Sequence, residues 1–259
     1  MCRGWLMVLR FGMPIIVLQH AATDGIGRLG PALRDYAHRL DIRRLDLPAT
    51  QGGRGVPVDF DDVDAVISLG GPMNVGDDVP WMNAELAYLR EAHARQLPVL
   101  GICLGAQMIA AALGGEVGAM TSPPGEFGLC AVEQTPAGNT DRILAGIPWT
   151  SWQFQAHGQM VTKLPEGATL LQTSKACKVQ AFSVGLRTYG FQYHFESTRA
   201  DMDGFLADKW SQELLGKLGT SAAEVRKVAD ERADAFARLG DRLCVNIASF
   251  MFPMRKMTA

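Results

Sequence analysis

The chain has 259 residues, with 25 Lys or Arg against 27 Asp or Glu, and its formal net charge at pH 7 is -2. This balance gives no electrostatic reason to expect a nucleic-acid partner, and no basic run favours a membrane surface. The five cysteines lack paired or C-x-x-C spacing. Their spacing argues against a disulfide framework or zinc site and predicts a reducing, cytoplasmic compartment.

An apolar stretch, residues 1–12, precedes the first predicted strand. Arg10 interrupts this stretch and no small-residue cleavage site follows, so the pattern does not favour a secretory signal. We interpret residues 1–12 as an N-terminal extension, with Met1 and Met13 as alternative starts.

Strands and helices alternate up to about residue 113. Short apolar runs predict strands, and longer periodic segments predict helices, at residues 14–18, 31–40, 42–47, 65–69, 81–96, 99–102 and 104–113. The alternation predicts an α/β fold with a doubly wound, mostly parallel sheet flanked by helices, whose ligands gather at the carboxyl ends of the strands. Four aspartates before the third strand predict a solvated cap, with a metal site as the less favoured alternative: Asp59, Asp61, Asp62 and Asp64.

The second half of the chain is richer in predicted strands. Strands are predicted at residues 126–133 and 168–172, and a hairpin at 181–184 and 187–193 delivers His194. Helices follow, the last opened by a capping box of Ser221 and Glu224. The apolar stripe of that helix predicts core packing, with a homodimer surface as the alternative. We expect one domain over residues 13–197, and a helical segment over 198–259 that packs on it.

Cys103 lies between a predicted buried strand and a predicted helix, with Gly101 and Gly105 on either side. Glycines leave room for a sharp reversal of the chain, so the thiol can stand at the carboxyl end of the sheet. The positive end of the helix would favour the thiolate form. Cys103 is therefore our candidate nucleophile.

A base for this nucleophile is offered by His194, with Glu196 two residues further on. On a strand, residues two apart leave from the same face about 6–7 Å apart, so the carboxylate could hold the far nitrogen of the imidazole. A glycine turn follows the third strand, and we expect the N–H groups of Gly71 and Leu104 to form the oxyanion hole.

Three stretches carry a family resemblance: Leu69-Gly-Gly-Pro72, Gly101-Ile-Cys-Leu-Gly-Ala-Gln107 and Gly190-Phe-Gln-Tyr-His-Phe-Glu196. Together they resemble the class I glutamine amidotransferases of the Cys-His-Glu group, and especially free-standing members similar to the glutaminase half of GMP synthetase. The resemblance covers about residues 14–197 and implies a flavodoxin-like sheet.

The resemblance also implies a small-molecule substrate, glutamine or another γ-glutamyl compound. Its predicted contacts are Gly70, Gln107, His157 and Tyr193. Two positions depart from the family pattern, because Gln159 stands where an aspartate is usual and Phe195 stands where a proline is usual. Neither a cofactor nor a metal is predicted, and the chain has no G-x-x-x-x-G-K-[ST] motif for ATP.

Three hypotheses for the function follow. The first is a glutaminase component that forms a cysteinyl γ-glutamyl thioester and passes ammonia to a separate synthase subunit. The second is a partner-independent γ-glutamyl peptidase or hydrolase. The third is a catalytically silent binding protein that keeps the fold; the intact Cys103, His194 and Glu196 make it the least favoured.

Overall fold

The computed structural model of the protein describes residues 13–252. The predicted extension at 1–12, and residues 253–259 of the predicted C-terminal segment, lie outside the described residues. The strands are β1 (Ile15–Gln19), β2 (Leu40–Arg44), β3 (Ala65–Ser68), β4 (Val99–Ile102), β5 (Glu116–Ala119), β6 (Glu126–Gln134), β7 (Thr150–His157), β8 (Gln159–Lys163), β9 (Ala168–Thr173), β10 (Ala181–Val184) and β11 (Thr188–Phe191). The helices are α1 (Leu29–Asp35), α2 (Met82–Ala94), α3 (Leu104–Ala112), α4 (Pro136–Thr140), α5 (Arg199–Ala207), α6 (Lys209–Leu218) and α7 (Ala222–Asn246).

Within residues 13–252, one nine-stranded sheet has the order β2-β1-β3-β4-β11-β10-β9-β6-β7, and β5 pairs with β8 separately. Strands β2, β1, β3, β4 and β11 run parallel, and the pairs from β11 to β7 are antiparallel. Helices cover both faces of the sheet, which confirms the predicted α/β fold. The carboxyl ends of β1, β3, β4 and β11 meet at one edge, where ligands of such sheets bind.

Apolar side chains fill both sides of the sheet. Leu33 of α1 and Leu243 of α7 belong to the core on one face, and Leu89 of α2 and Ile109 of α3 to the core on the other. A third cluster centres on Phe154 of β7 and joins the antiparallel strands to α5–α7. Burial of this kind is the main favourable term in folding and fixes the strand ends that carry the site.

Several predicted boundaries differ from the structure. The first helix begins before Pro31, because a proline near the start of a helix lacks only an N–H that has no partner there, and it ends ahead of Ala37, which has a positive φ of 62°. After Glu196, α5 and α6 are separate helices, since Asp208 is extended and accepts hydrogen bonds from the N–H groups of Trp210 and Ser211 in the first turn of α6. The capping box of Ser221 and Glu224 is present at the start of α7.

The last helix packs beside the predicted site. Arg28, which precedes α1, donates to the carbonyls of Ser197 and Ala237 and pairs with Asp241 of α7 at 3.0 Å. A Cβ at Gly240 would lie only 2.7 Å from the carbonyl oxygen of Phe195, so α7 contacts the turn that carries His194. None of the helices described between residues 13 and 252 combines the length and apolar character that a membrane span needs.

Candidate active site

Cys103 occupies the turn between β4 and α3, and its backbone is strained. Its φ is 52° and its ψ is -109°, a combination that residues with a Cβ rarely adopt. A Cβ at Gly101 would lie 2.5 Å from Gly105, and one at Gly105 would lie 2.0 Å from the carbonyl oxygen of Ser68. Only glycine fits at these two positions, so the turn places Cys103 at the end of the sheet, as the sequence predicts.

His194 and Glu196 lie beside this turn. Nδ1 of His194 is 2.8 Å from Oε1 of Glu196, and both side chains are buried. Nε2 of His194 is also buried and has no hydrogen-bond partner among the described residues. Because Glu196 engages Nδ1, Nε2 is the nitrogen left for the thiol of Cys103.

The electrostatics of His194 depend on both neighbours. Burial alone would lower the pKa of His194, but the negative charge of Glu196, the adjacent Cys103 and the hydrogen bond from the ring to Glu196 raise it well above its ordinary value. A raised pKa means that the imidazolium is stabilised inside the protein. The arrangement therefore favours transfer of the thiol proton to His194.

The strand predicted to carry His194 ends earlier than expected. β11 stops at Phe191, because its partner β4 ends at Ile102 and the chain there turns into α3. His194 and Glu196 lie in the following turn, where the His194 N–H donates to the carbonyl of Phe154. The prediction that both residues stand on a strand is wrong, although their side chains still meet.

Every second side chain of the turn that carries His194 is an aromatic ring packed in the core. Phe191, Tyr193 and Phe195 are fully buried on one side, and their rings pack edge to face with centroids 5.2–6.3 Å apart. Gln192, His194 and Glu196 occupy the alternate positions. Phe195 is thus a core anchor at the place where the family pattern has a proline, and the His194–Glu196 contact forms without that proline.

The backbone N–H groups of Gly71 and Leu104, which the sequence predicts to form an oxyanion hole, are unoccupied within residues 13–252. Neither group donates to a protein acceptor in that part of the chain, while the next amide, that of Gly105, donates to Leu69. Leu104 is the first residue of α3, where N–H groups have no intrahelical partner. A Cβ at Gly71 would lie 3.1 Å from the Leu104 side chain, so the two residues are neighbours.

Two glutamine side chains link Cys103 to the backbone of Gln159 through hydrogen bonds. Gln192 donates to the Cys103 sulfur at 3.7 Å, and Gln107 donates to Gln192 at 3.1 Å and to the carbonyl of Gln159 at 3.0 Å. The Oε1 atom of Gln107 makes no hydrogen bond to the described residues, so it can accept one from a substrate. The sequence analysis did not identify Gln192, since a single buried polar residue carries no distinctive pattern.

The other predicted substrate contacts have different surroundings. Gly70 lies against His194, since its Cβ would be 2.8 Å from the ring. Tyr193 is fully buried and its hydroxyl bonds Gln172 at 2.5 Å. His157 has protein partners at both ring nitrogens, Nδ1 with the carbonyl of Gln159 and Nε2 near Gln155. Contacts of His157 and Tyr193 with substrate stay predictions.

One buried cluster could hold a metal ion. Atoms of Glu126, His157 and Cys177 lie within 4.8 Å of one another, and their separation in sequence explains why no motif predicted them. Glu126 already accepts from Ser174 at 2.9 Å and from Gln180 at 2.7 Å. Burial also raises the pKa of Cys177 to about 12, so the thiolate that a metal would require is disfavoured.

The sheet, its flanking helices and the cysteine turn define an α/β protein with the fold of glutamine amidotransferases. The structure of a glutamine amidotransferase from Methylobacillus flagellatus aligns with a TM-score of 0.80 at 26% identity, covering 95% of this chain and 99% of that one. The family model described as glutamine amidotransferase class-I matches residues 29–211. The chain therefore belongs to the class I glutamine amidotransferase family, which confirms the resemblance.

Two relatives illustrate the range of the family. The glutamine amidotransferase-like protein YfeJ of Salmonella typhimurium is 31% identical over 238 residues, which span 89% of this chain and 94% of YfeJ. A glutamine-hydrolyzing GMP synthase subunit of Sulfurisphaera tokodaii is 34% identical over 165 residues, or 62% of this chain and 84% of that relative. Both similarities extend over most of the relative's length.

Proposed function

We propose that the chain is a cysteine-dependent amidase that releases ammonia from glutamine, or an amine from another γ-glutamyl compound, through a thioester on Cys103. The observation that supports this most is the placement of a strained cysteine beside His194, whose other nitrogen is bound by Glu196. Membership of the class I glutamine amidotransferase family supports the choice of a side-chain amide as substrate.

The first half of the reaction makes the thioester. The sulfur of Cys103 forms a bond to the side-chain carbonyl carbon of the substrate, and the thiol proton passes to Nε2 of His194. The carbonyl π electrons move onto oxygen, where the N–H groups of Gly71 and Leu104 stabilise the negative charge. As the C–N bond breaks, His194 returns its proton to the leaving nitrogen, and ammonia or an amine departs.

The second half regenerates the enzyme. A water molecule, whose proton His194 accepts, attacks the thioester carbon through a second oxyanion. The C–S bond then breaks, the sulfur recovers the proton from His194, and the product leaves as a carboxylic acid that loses its proton to solvent. Glu196 keeps the imidazole oriented in both halves and stabilises the imidazolium. Gln107 is proposed to bind the substrate through its free amide oxygen.

Two forms of this activity differ in whether the released ammonia or amine passes to a separate synthase subunit. Similarity to one component of a GMP synthase favours a glutaminase that works with a separate synthase subunit. The alternative is a hydrolase that needs no partner. The chemistry at Cys103 is the same in both forms.

Purified protein distinguishes these forms when it is assayed with glutamine and a panel of γ-glutamyl peptides and amides. Turnover by the protein alone supports the hydrolase, and slow turnover that rises with added synthase supports the two-component form. Cys103→Ala should abolish product release while circular dichroism shows a folded protein. Cys130→Ala, on the half-exposed side of β6, is the matched control and should retain activity. Turnover that survives in Cys103→Ala would defeat the proposal.

A further inference from the structure

A buried ion pair lies beside the glycine loop that follows β3, and the proposed mechanism does not use it. His20 comes directly after β1 and Glu85 lies on α2. Both side chains are fully buried, with Nε2 of His20 2.8 Å from Oε2 of Glu85. A buried charge pair is costly to form compared with apolar packing, so its position relative to the site is informative.

Both nitrogens of His20 face hydrogen-bond acceptors. Nδ1 lies 3.1 Å from the carbonyl oxygen of Leu69 and 3.0 Å from that of Gly70, while Nε2 faces the Glu85 carboxylate. Burial opposes the charge, but the charge of Glu85, its hydrogen bond and the two carbonyls outweigh it and raise the pKa of His20. Since acceptors face both ring nitrogens, the geometry favours the imidazolium form, which donates to the loop and to Glu85.

The position of His20 determines which way the loop amides point. In a trans peptide the C=O and the N–H leave on opposite sides. Because the carbonyl of Gly70 points at His20, the N–H of Gly71 points away from His20. The glycine loop lies in close contact with both histidines. A Cβ at Gly71 would lie 2.8 Å from the His20 Cβ, and one at Gly70 would lie 2.8 Å from the ring of His194.

The imidazolium is itself fixed by neighbours. The indole of Trp81 stacks on the His20 ring, with centroids 4.6 Å apart and planes 25° apart. The second carboxylate oxygen of Glu85 accepts a 2.6 Å hydrogen bond from Ser68, the last residue of β3. The loop, β3 and α2 are thereby joined through one buried polar group with little freedom to move.

We propose that His20, held by Glu85, is a positioning residue that orients the Gly71 N–H for the oxyanion hole. This inference rests on the proposed role of Cys103 as nucleophile and deepens it. The hydrogen bonds of His20 go to the loop and to Glu85, and none goes to Cys103. Its effect should therefore be confined to reactions of Cys103 that pass through an oxyanion.

Two reagents that attack the same sulfur separate this role from a general structural one. Acylation by p-nitrophenyl acetate forms a C–S bond through a tetrahedral oxyanion and expels p-nitrophenolate, whereas alkylation by iodoacetamide forms a C–S bond by direct displacement of iodide. Only the first reaction needs the oxyanion hole. Both rates are measured on the full-length protein, with Cys103→Ala as the background.

His20→Phe keeps a flat ring against Trp81 but removes the donor. We expect acylation of Cys103 to slow about 10²-fold, as when one oxyanion donor is lost, and alkylation to change less than about threefold. Glu85→Gln is the conservative variant. Its side-chain amide can donate to Nε2 of a neutral His20 ring, and Nδ1 then still donates its proton to the loop carbonyls. Its acylation rate should stay within about tenfold of the unsubstituted rate, and Glu85→Leu should resemble His20→Phe.

The inference is overturned if the substitutions slow both reactions together, or if they slow neither. It is also overturned if Cys103 of the unsubstituted protein is alkylated but not acylated. Should His20→Phe fail to fold, the contrast between Glu85→Gln and Glu85→Leu decides. Neither reagent requires a γ-glutamyl group, so the proposed substrate class can fail while selective loss of acylation still supports His20.

Discussion

Replacement of Cys103 by glycine should stabilise the protein relative to replacement by alanine, although both remove the thiol. A residue with a Cβ held at φ 52° and ψ -109° carries strain of the order of 1–3 kcal/mol, and glycine relieves it. The opposing entropic cost of glycine is about 0.5–1 kcal/mol. Cys103→Gly should therefore exceed Cys103→Ala in free energy of unfolding by about 1 kcal/mol, which corresponds to roughly 2–4 °C in Tm for a chain of this size.

Equilibrium unfolding in urea, followed by tryptophan fluorescence, measures the difference at unchanged m value. Cys130 provides the control, because it lies in β6 without a positive φ. There glycine should be less stable than alanine by about 1 kcal/mol, the ordinary direction for an extended strand. If glycine is the less stable residue at both positions by similar amounts, the turn at Cys103 is not strained and the argument is refuted.

Three further predictions concern the surroundings of the site. Gly105→Ala should destabilise the fold by several kcal/mol and abolish activity, because the added carbon would lie 2.0 Å from a backbone carbonyl; Gly204→Ala, in open space on α5, should instead stabilise by about 0.5–1 kcal/mol, and equal effects would contradict this. Glu196→Gln should move the alkaline limb of the pH–activity profile to lower pH. The Glu196 carboxylate raises the pKa of His194, so the stabilised imidazolium is fully present below pH 6.5 and is lost as the pH rises through the raised pKa. Removal of the carboxylate's charge lowers that pKa, and the loss then occurs at lower pH. A pH–rate profile with an unmoved limb would argue against that coupling. Asn246→Ala should cost about 1–3 kcal/mol in urea unfolding, since its side chain donates to two carbonyls under α7, and an unchanged midpoint would show that water replaces it.

The sequence predicts the elements of the parallel half well, because local apolar periodicity and buried position coincide there. Strands β1, β3 and β4 are each a short apolar run between turn residues, and the stop at β4 is marked by the glycines around Cys103. Strand β2 is half-exposed and carries three charged residues, and it begins at Leu40, two residues before the predicted start. The end of β11 is different. It depends on where the neighbouring strand β4 stops, which is a tertiary property that no local pattern carries.

The candidate site shows the same division. Cys103, His194 and Glu196 could be proposed from the sequence because their chemistry and spacing are distinctive, and the structure brings His194 and Glu196 into contact. The His20–Glu85 pair joins residues 65 apart, one in a loop and one on α2. A single histidine and a single glutamate so far apart in sequence do not predict an ion pair, because only the fold brings them together.

The most direct test of the account is mass spectrometry of the protein after rapid acid quench during turnover of glutamine or a γ-glutamyl peptide. We predict that one γ-glutamyl group is attached to the peptide that contains Cys103, and that the adduct disappears when substrate is exhausted. Turnover without any acyl adduct on Cys103, or an adduct on a different cysteine that accounts for the turnover, would contradict the account.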